Sequence, residues 1–181
     1  FEQIKKGVAH LKPPCRRFDF RGIWKGRQIV DDYAHHPSEI NATLDMVHLM
    51  VKSGNSPLPT PPKRIILVFQ PHRYSRTNQF MKAFAKALGK TDSLLLAPIY
   101  GAGEEPIPKI NSQTLANQIK SIYPQLPVTV AESIENLTVL LEKLSEPNDL
   151  VIIMGAGNIN NLWGKLQNKG DGNQYGSDTA A

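Results

Sequence analysis

This chain contains four short apolar runs, and a cluster of polar residues follows each of them directly. This pattern limits the folds that the chain can adopt. The runs lie at residues 28–30, 64–69, 93–97 and 149–154. Continuous apolar runs of this length are typical of parallel strands that are covered on both faces. Because an open α/β sheet binds its ligands beyond the carboxyl ends of its strands, we expect the polar clusters to form a binding site.

The alternation of strand, polar loop and helix predicts an α/β fold. We expect a doubly wound, mostly parallel Rossmann-like sheet with helices on both faces. Strand patterns on either side of the turn signal Lys25-Gly26 predict an antiparallel hairpin at the start of the chain. A further short strand is predicted at residues 128–130.

The helices are predicted from apolar residues at helical spacing and from their end signals. Pro37 suits the first turn of a helix that runs to Val51. Thr77 is expected to cap a second helix, which ends at Gly89. Two more helices are predicted at residues 112–122 and 133–144.

Composition excludes several classes of protein. With 40% hydrophobic and 20% charged residues, the chain has no apolar stretch near the roughly 20 residues that a membrane span needs. The net charge of +5 is spread along the chain, without the basic patch interleaved with aromatic residues that is typical of nucleic-acid binding. The single cysteine, Cys15, excludes an intrachain disulfide and suits the cytoplasm. We therefore expect neither a membrane nor a nucleic acid as partner.

The ends of the chain predict that it is one domain of a longer protein. It begins at Phe1, without an initiator methionine or a signal sequence, and a short helix is expected at residues 4–11 before Pro13-Pro14. Residues 169–181 are small and polar, which predicts a disordered tail. Apart from this tail, the chain is predicted to form one domain at residues 1–168.

The polar clusters contain groups that bind anions and sugars. Arg73 and Arg76, three residues apart, offer forked donors that suit a carboxylate or a phosphate. Asp32 lies at a strand end, where a carboxylate commonly holds ribose hydroxyls. A nucleotide and a small carboxylate are the simplest pair of ligands for such a site.

Other interpretations of these residues stay open at this point. A metal-dependent hydrolase would use carboxylates and imidazoles as its metal ligands. Its candidates are Asp31, Asp32, His35, His36 and His72. A nucleic-acid-binding module is suggested only by the excess of basic over acidic residues. The first alternative predicts tightly bound metal, and the second predicts binding that weakens steeply with salt.

Four motifs closely resemble the carboxy-terminal domain of the Mur ligase family, in register from about residue 4 to residue 166. They are Asp31-Asp32-Tyr33-Ala34-His35-His36-Pro37-Ser38-Glu39, Phe69-Gln70-Pro71-His72-Arg73-Tyr74-Ser75-Arg76-Thr77, Ile99-Tyr100-Gly101-Ala102-Gly103-Glu104 and Met154-Gly155-Ala156-Gly157. The first two are long enough to be specific.

The resemblance implies an ATP-dependent ligase of peptidoglycan precursor synthesis in the cytoplasm, which uses ATP and Mg²⁺. Its substrates would be UDP-N-acetylmuramate and L-alanine, joined through an acyl phosphate, or alternatively a peptide in place of L-alanine. Carried over by motif, the amino-acid pocket would be lined by Tyr33, His35, His72, Arg73 and Arg76. The ATP site would include Asp32 at the ribose and Arg17 from the opening hairpin.

Parts of the family pattern are missing from this sequence. It has no Gly-x-x-x-x-Gly-Lys-Ser/Thr phosphate loop. In the family this loop and the main magnesium ligands belong to a central ATPase domain, and an amino-terminal domain binds the UDP-sugar. We therefore expect an inactive fragment with no catalytic residue, no metal site and no tightly bound cofactor. Asn158 stands where an acidic residue is expected, and it is interpreted as the cap of the last helix.

Overall fold

A computed structural model describes residues 16–54 and 57–168 of the chain. The helix expected at residues 4–11, Cys15 and the tail expected at residues 169–181 lie outside the described residues. Within them, no helix combines the length and the apolar character that crossing a membrane requires.

The described residues form one sheet of six strands, mostly parallel. The strands are β1 (Asp19–Trp24), β2 (Arg27–Asp32), β3 (Ile65–Phe69), β4 (Ser93–Leu96), β5 (Val128–Val130) and β6 (Leu150–Met154). Their order across the sheet is β1-β2-β6-β3-β4-β5. Only the β1–β2 pair is antiparallel, and β6 lies between β2 and β3. The predicted fold class is confirmed.

Helices cover both faces of this sheet. They are α1 (Pro37–Ser53), α2 (Tyr74–Gln79), α3 (Met81–Leu88), α4 (Ser112–Ile122), α5 (Ile134–Leu144) and α6 (Asn161–Gln167). Helices α1, α3 and α4 pack into one apolar cluster, and α5 and α6 pack into a second cluster on the other face. Because both of their faces are covered, β3 and β6 are buried along their whole length, as their continuous apolar sequences predict.

The opening hairpin follows from two residues that accept positive φ angles. Lys25 and Gly26 have φ angles of 46° and 79°, as in the type I′ turn whose twist matches that of the flanking strands. The register of β1 against β2 shifts between Phe20 and Gly22. The predicted hairpin is therefore confirmed, with one irregularity in its first strand.

The prediction that Thr77 caps a helix is wrong. Helix α2 already begins at Tyr74, and the Thr77 hydroxyl donates a 2.8 Å hydrogen bond back to the carbonyl oxygen of Arg73. The helical segment is also divided, since Phe80, with φ −107° and ψ 17°, separates α2 from α3. The residue that starts the helix is Arg73, whose φ of 71° places it outside the helical region.

Candidate functional site

The polar clusters meet at one edge of the sheet, where β2, β6, β3 and β4 end. The chain continues from β2 and β3 to helices on one face, whereas β6 leads to α6 on the other face. A crevice opens at such a switch point, beyond the carboxyl ends of the strands. The backbone joins these ends: Gly155 donates to the Asp32 carbonyl oxygen, and Arg73 donates to that of Tyr100.

A cleft of about 340 Å³ lies between the opening hairpin and α1. The residues that line it are Arg17, Phe18, Asp32, Tyr33, Ala34, Glu39, Ala42, Thr43 and Met46. The structure therefore brings together Arg17 and Asp32, the two residues that the family resemblance assigns to the ATP site. Thr43 and Met46 were missed, because the pattern of α1 alone does not show which of its exposed residues faces a cleft.

Three hydrogen bonds hold the Asp32 carboxylate at the floor of this cleft. Oδ1 accepts the backbone N–H of Ala34 at 2.8 Å, and Oδ2 accepts that of Phe18 at 2.9 Å. The Thr43 hydroxyl lies 3.4 Å from Oδ2. Burial raises the pKa of Asp32, and these hydrogen bonds oppose the shift. Since a carboxylate can accept about four hydrogen bonds, Asp32 retains capacity for a hydroxyl in the cleft.

A row of four rings crosses the sheet edge beside the cleft. The ring centroids of Tyr33 and His35 are 5.2 Å apart, those of His35 and His72 are 5.8 Å apart, and those of His72 and Tyr100 are 5.5 Å apart. The row joins residues that follow β2, β3 and β4. It places Tyr33, His35 and His72, three predicted amino-acid-binding residues, in one cluster.

The environment of His72 favours a neutral imidazole. Burial lowers its pKa, and the positive charge of Arg76, together with His35 and Arg73, lowers it further. The Nη1 atom of Arg76 lies 3.5 Å from Nδ1 of His72. Because guanidinium nitrogens only donate, this contact leaves the imidazole proton on Nε2.

The two predicted anion-binding arginines have different partners. Arg73 Nη1 lies 3.4 Å from an oxygen of Glu104, a residue of the loop after β4. Glu104 also accepts hydrogen bonds from the backbone N–H and the hydroxyl of Ser75, at 3.0 and 2.6 Å. Among the ion pairs of the described residues, none joins Arg76 to a carboxylate. Arg76 is therefore the arginine that is available to a carboxylate ligand.

The candidate ligands of a metal-dependent hydrolase do not converge. Asp31 and Asp32 are adjacent on β2, so their side chains point to opposite faces of the sheet. His36 caps α1, where its Nδ1 accepts the backbone N–H of Ser38. Across residues 16–54 and 57–168, no group of three or more His, Cys, Asp or Glu side chains is placed to hold a metal ion.

Arg16, which the sequence did not indicate as a site residue, links Asp31 to the loop after β6 at the sheet edge. Its Nε donates to Asp31 Oδ2 at 2.9 Å, its Nη2 donates to the Gly155 carbonyl oxygen at 2.7 Å, and its guanidinium lies 5.1 Å from the Tyr33 ring centroid. The residue pattern does not distinguish the roles of Arg16 and Arg17, because these depend on the side-chain contacts of each residue in the fold: Arg16 contacts Asp31, and Arg17 lines the cleft.

The interpretation of Asn158 as the cap of the last helix is wrong. Asn158 opens a short 3₁₀ turn, and α6 begins three residues later, at Asn161. Its Oδ1 accepts a hydrogen bond from the amide of Gln70 at 2.9 Å. The side-chain oxygen Oε1 of Gln70 in turn accepts the backbone N–H of Ile159 at 3.0 Å. Asn158 thus fastens the loop after β6 to the end of β3, a role that needs only an acceptor.

Replacement of Gly157 by alanine should destabilise the chain and disturb the ring row. An added Cβ would contact the Gln70 amide oxygen and lie 2.7 Å from Cγ of Tyr100, the ring that stacks on His72. We expect a loss of about 1–3 kcal/mol in the free energy of unfolding, the usual cost of overpacking. Denaturant unfolding of the purified chain measures it.

Gly164→Ala provides the matched control for this variant. Gly164 lies in α6, and an added Cβ would meet nothing within 4 Å. Alanine there should increase stability by up to about 1 kcal/mol, since it favours the helix. Equal effects of the two substitutions would contradict the packing that we describe around Gly157.

Comparison with known proteins identifies the family and the fold of this chain. The model of the Mur ligase, glutamate ligase domain family matches residues 16–157. A UDP-N-acetylmuramate–L-alanine ligase of Prochlorococcus marinus (strain MIT 9303) is 63% identical over 166 residues, which are 92% of this chain and 34% of that protein. The chain thus spans about a third of the length of the curated relatives that it matches.

Solved structures share the fold. A UDP-N-acetylmuramate–alanine ligase from Thermotoga maritima aligns with a TM-score of 0.61 at 23% identity, over 85% of this chain and 29% of its own. A solved domain of a putative UDP-N-acetylmuramate:L-alanyl-γ-D-glutamyl-meso-diaminopimelate ligase from Haemophilus ducreyi aligns with a TM-score of 0.56 at 25% identity, over 84% of this chain and 98% of its own. Since the family model covers all six strands of the sheet and the four polar motifs that meet at its edge, this chain belongs to the Mur ligase family.

Proposed function

We propose that residues 1–168 are the carboxy-terminal, amino-acid-binding domain of a cytoplasmic ATP-dependent ligase that joins L-alanine to UDP-N-acetylmuramate in peptidoglycan precursor synthesis. The observation that carries the proposal is the position of Tyr33. It lines the cleft that contains Asp32, and its ring contacts His35 in the ring row. A ligase needs this adjacency, because the amine must attack close to the point where ATP has activated the carboxylate.

In this proposal the ring row and the neighbouring arginines form the amino-acid pocket. Arg76 binds the carboxylate of L-alanine, since its guanidinium is free of an internal carboxylate among the described ion pairs. Tyr33, His35 and His72 form the walls, and Arg73 lies at the rim, where its side chain is 48% exposed. The curated relatives named UDP-N-acetylmuramate–L-alanine ligase support L-alanine as the substrate.

The cleft suits the nucleoside part of ATP. Asp32 would accept a ribose hydroxyl, Arg17 would approach the nucleotide from the hairpin, and Phe18 and Met46 supply apolar surface. The described residues contain no acidic cluster for Mg²⁺. We therefore assign the binding of Mg²⁺, of the ATP phosphates and of the UDP-sugar to parts of the ligase outside this chain. Neither a membrane nor a nucleic acid takes part.

A ligase that attaches a peptide to UDP-N-acetylmuramate is the second candidate. The solved Haemophilus ducreyi domain, whose full name is that of a peptide-attaching ligase, favours it through its 25% identity over 84% of this chain. The 63% identity to an alanine ligase favours the first candidate. Parallel assays with L-alanine and with the tripeptide as the amine distinguish the two.

The test is reconstitution of the reaction. This chain, mixed with the separately purified remainder of the ligase or expressed as part of it, should release phosphate only when ATP, UDP-N-acetylmuramate and L-alanine are all present. The chain alone should release none. Phosphate release by the chain alone, or absence of alanine dependence in the intact ligase when circular dichroism shows it folded, would contradict the proposal.

A further inference from the structure

We propose that Glu104 is a positioning residue of the amino-acid site, which holds the Arg73 guanidinium at the rim so that the substrate carboxylate meets Arg76 alone. The inference rests on the proposed function and deepens it. Glu104 lies in the loop after β4, 31 residues along the chain from Arg73. Its carboxylate makes three contacts, all of them with the segment that carries the two arginines.

The backbone of Arg73 cannot adjust on its own. Its φ of 71° is rare for a residue other than glycine. Its N–H donates to the Tyr100 carbonyl oxygen at 2.8 Å, and its own carbonyl oxygen accepts the N–H and the hydroxyl of Thr77. With the backbone fixed on both sides, only the side-chain torsions decide where the guanidinium lies.

Glu104 determines the side-chain torsions of Arg73. Hydrogen bonds from the hydroxyl and the backbone N–H of Ser75, with the charge of Arg73, keep the pKa of Glu104 below its usual value, so the carboxylate is ionised. Ser75 fixes the position of this carboxylate through both of its oxygens. The ion pair with Arg73 then draws the guanidinium toward the loop after β4.

An Arg73 side chain released from Glu104 would compete with Arg76 for the substrate carboxylate. Arg73 and Arg76 are both close enough to His72 to lower its pKa, so both lie near the proposed pocket. An amino acid with one carboxylate needs one arginine, and a second guanidinium would offer an alternative and unproductive orientation. Pairing Arg73 with Glu104 removes that alternative.

The test is Glu104→Gln in the intact ligase, with Glu105→Gln as the matched control. Glutamine keeps an acceptor for Ser75 but cannot neutralise Arg73. Substrate bound in an unproductive orientation occupies the site without reacting, so kcat and KM for L-alanine fall together. We expect both to fall about fivefold, the upper range for a partly exposed ion pair, with KM for ATP unchanged. Glu105, the exposed neighbour, should tolerate the change without effect.

Glu104→Asp completes the design, because it keeps the charge and should restore both constants toward the wild-type values. Wild-type constants in Glu104→Gln would overturn the inference, as would a higher KM for L-alanine or a variant that no longer folds. These outcomes differ from failure of the proposed function, in which the wild-type ligase itself would show no alanine-dependent phosphate release.

Discussion

Arg76→Ala should abolish most of the alanine-dependent activity of the intact ligase. We expect kcat/KM for L-alanine to fall about 30-fold or more, since the loss of one partner from a desolvated charge pair costs about 2–5 kcal/mol. The KM for ATP should change little, because the Arg76 guanidinium contacts His72 in the ring row and is not among the residues that line the cleft. Steady-state kinetics with each substrate varied in turn measures both constants.

Arg21→Ala is the matched control for this substitution. Arg21 is also an arginine, but it lies on β1 in an exposed pair with Asp19. Its removal should leave the kinetics of L-alanine within a factor of about two, as is usual for an exposed ion pair. If the two variants lose alanine activity equally, Arg76 has no special role in binding the carboxylate.

The same substitution has a second readout in the chain alone. The charge of Arg76 contributes to the low pKa of His72, after the larger effect of burial. In Arg76→Ala that pKa should rise, but burial should still hold it below the ordinary value for histidine. An NMR titration of the His72 ring in the wild-type chain and the variant reports the change. An unchanged pKa would mean that the guanidinium does not lie beside His72.

Most of the fold could be predicted from local sequence. The runs at residues 64–69 and 149–154 became β3 and β6, because a strand buried on both faces needs apolar residues at every position. Helix α4 has the predicted bounds, residues 112–122, and in the structure the Asn111 side chain caps its first turn. Each of these patterns depends only on residues within one strand or helix, so it can be recognised in the sequence.

The errors occurred where partners distant in sequence decide the local structure. Thr77 looks like a helix cap, but Arg73 starts α2 because Tyr100 and Thr77 hold its backbone at positive φ. Asn158 looks like a cap as well, but the amide of Gln70, 88 residues away, binds its side chain. A single sequence does not reveal such pairs, because the strand order that brings them together depends on the whole sheet.

The site was predictable where strand ends determine which residues meet, and not where side-chain torsions determine it. The residues at the strand ends, such as Asp32 and His72, were found because the ends of parallel strands meet at one sheet edge. The ion pair between Glu104 and Arg73 was not predicted, although both residues lie in the polar clusters. Which carboxylate reaches which guanidinium depends on side-chain torsions that the sequence pattern does not contain.

Asp32→Ala should destabilise the fold itself as well as remove the proposed ribose contact. The substitution would leave the backbone N–H groups of Phe18 and Ala34 without their carboxylate acceptor. Each buried donor that loses its acceptor costs about 1–3 kcal/mol, so we expect the free energy of unfolding to fall by about 2–6 kcal/mol at neutral pH. Asp19→Ala is the control, because the Asp19 side chain is 40% exposed and its one ion pair among the described residues is with Arg21. Its cost should stay below about 1 kcal/mol.

The pH dependence of this loss tests the environment of Asp32 directly. Burial raises the pKa of Asp32 from 3.8, so the folded state holds this proton more tightly than the unfolded state does. The stabilisation from the protonated group is fully present below pH 3.8 and disappears as the pH rises through the folded pKa. The wild-type chain should therefore exceed Asp32→Ala in stability by the largest margin in acid, and the margin should shrink across this window. A margin that grows as the pH rises would mean that the hydrogen bonds outweigh burial and that the carboxylate is held in its ionised form.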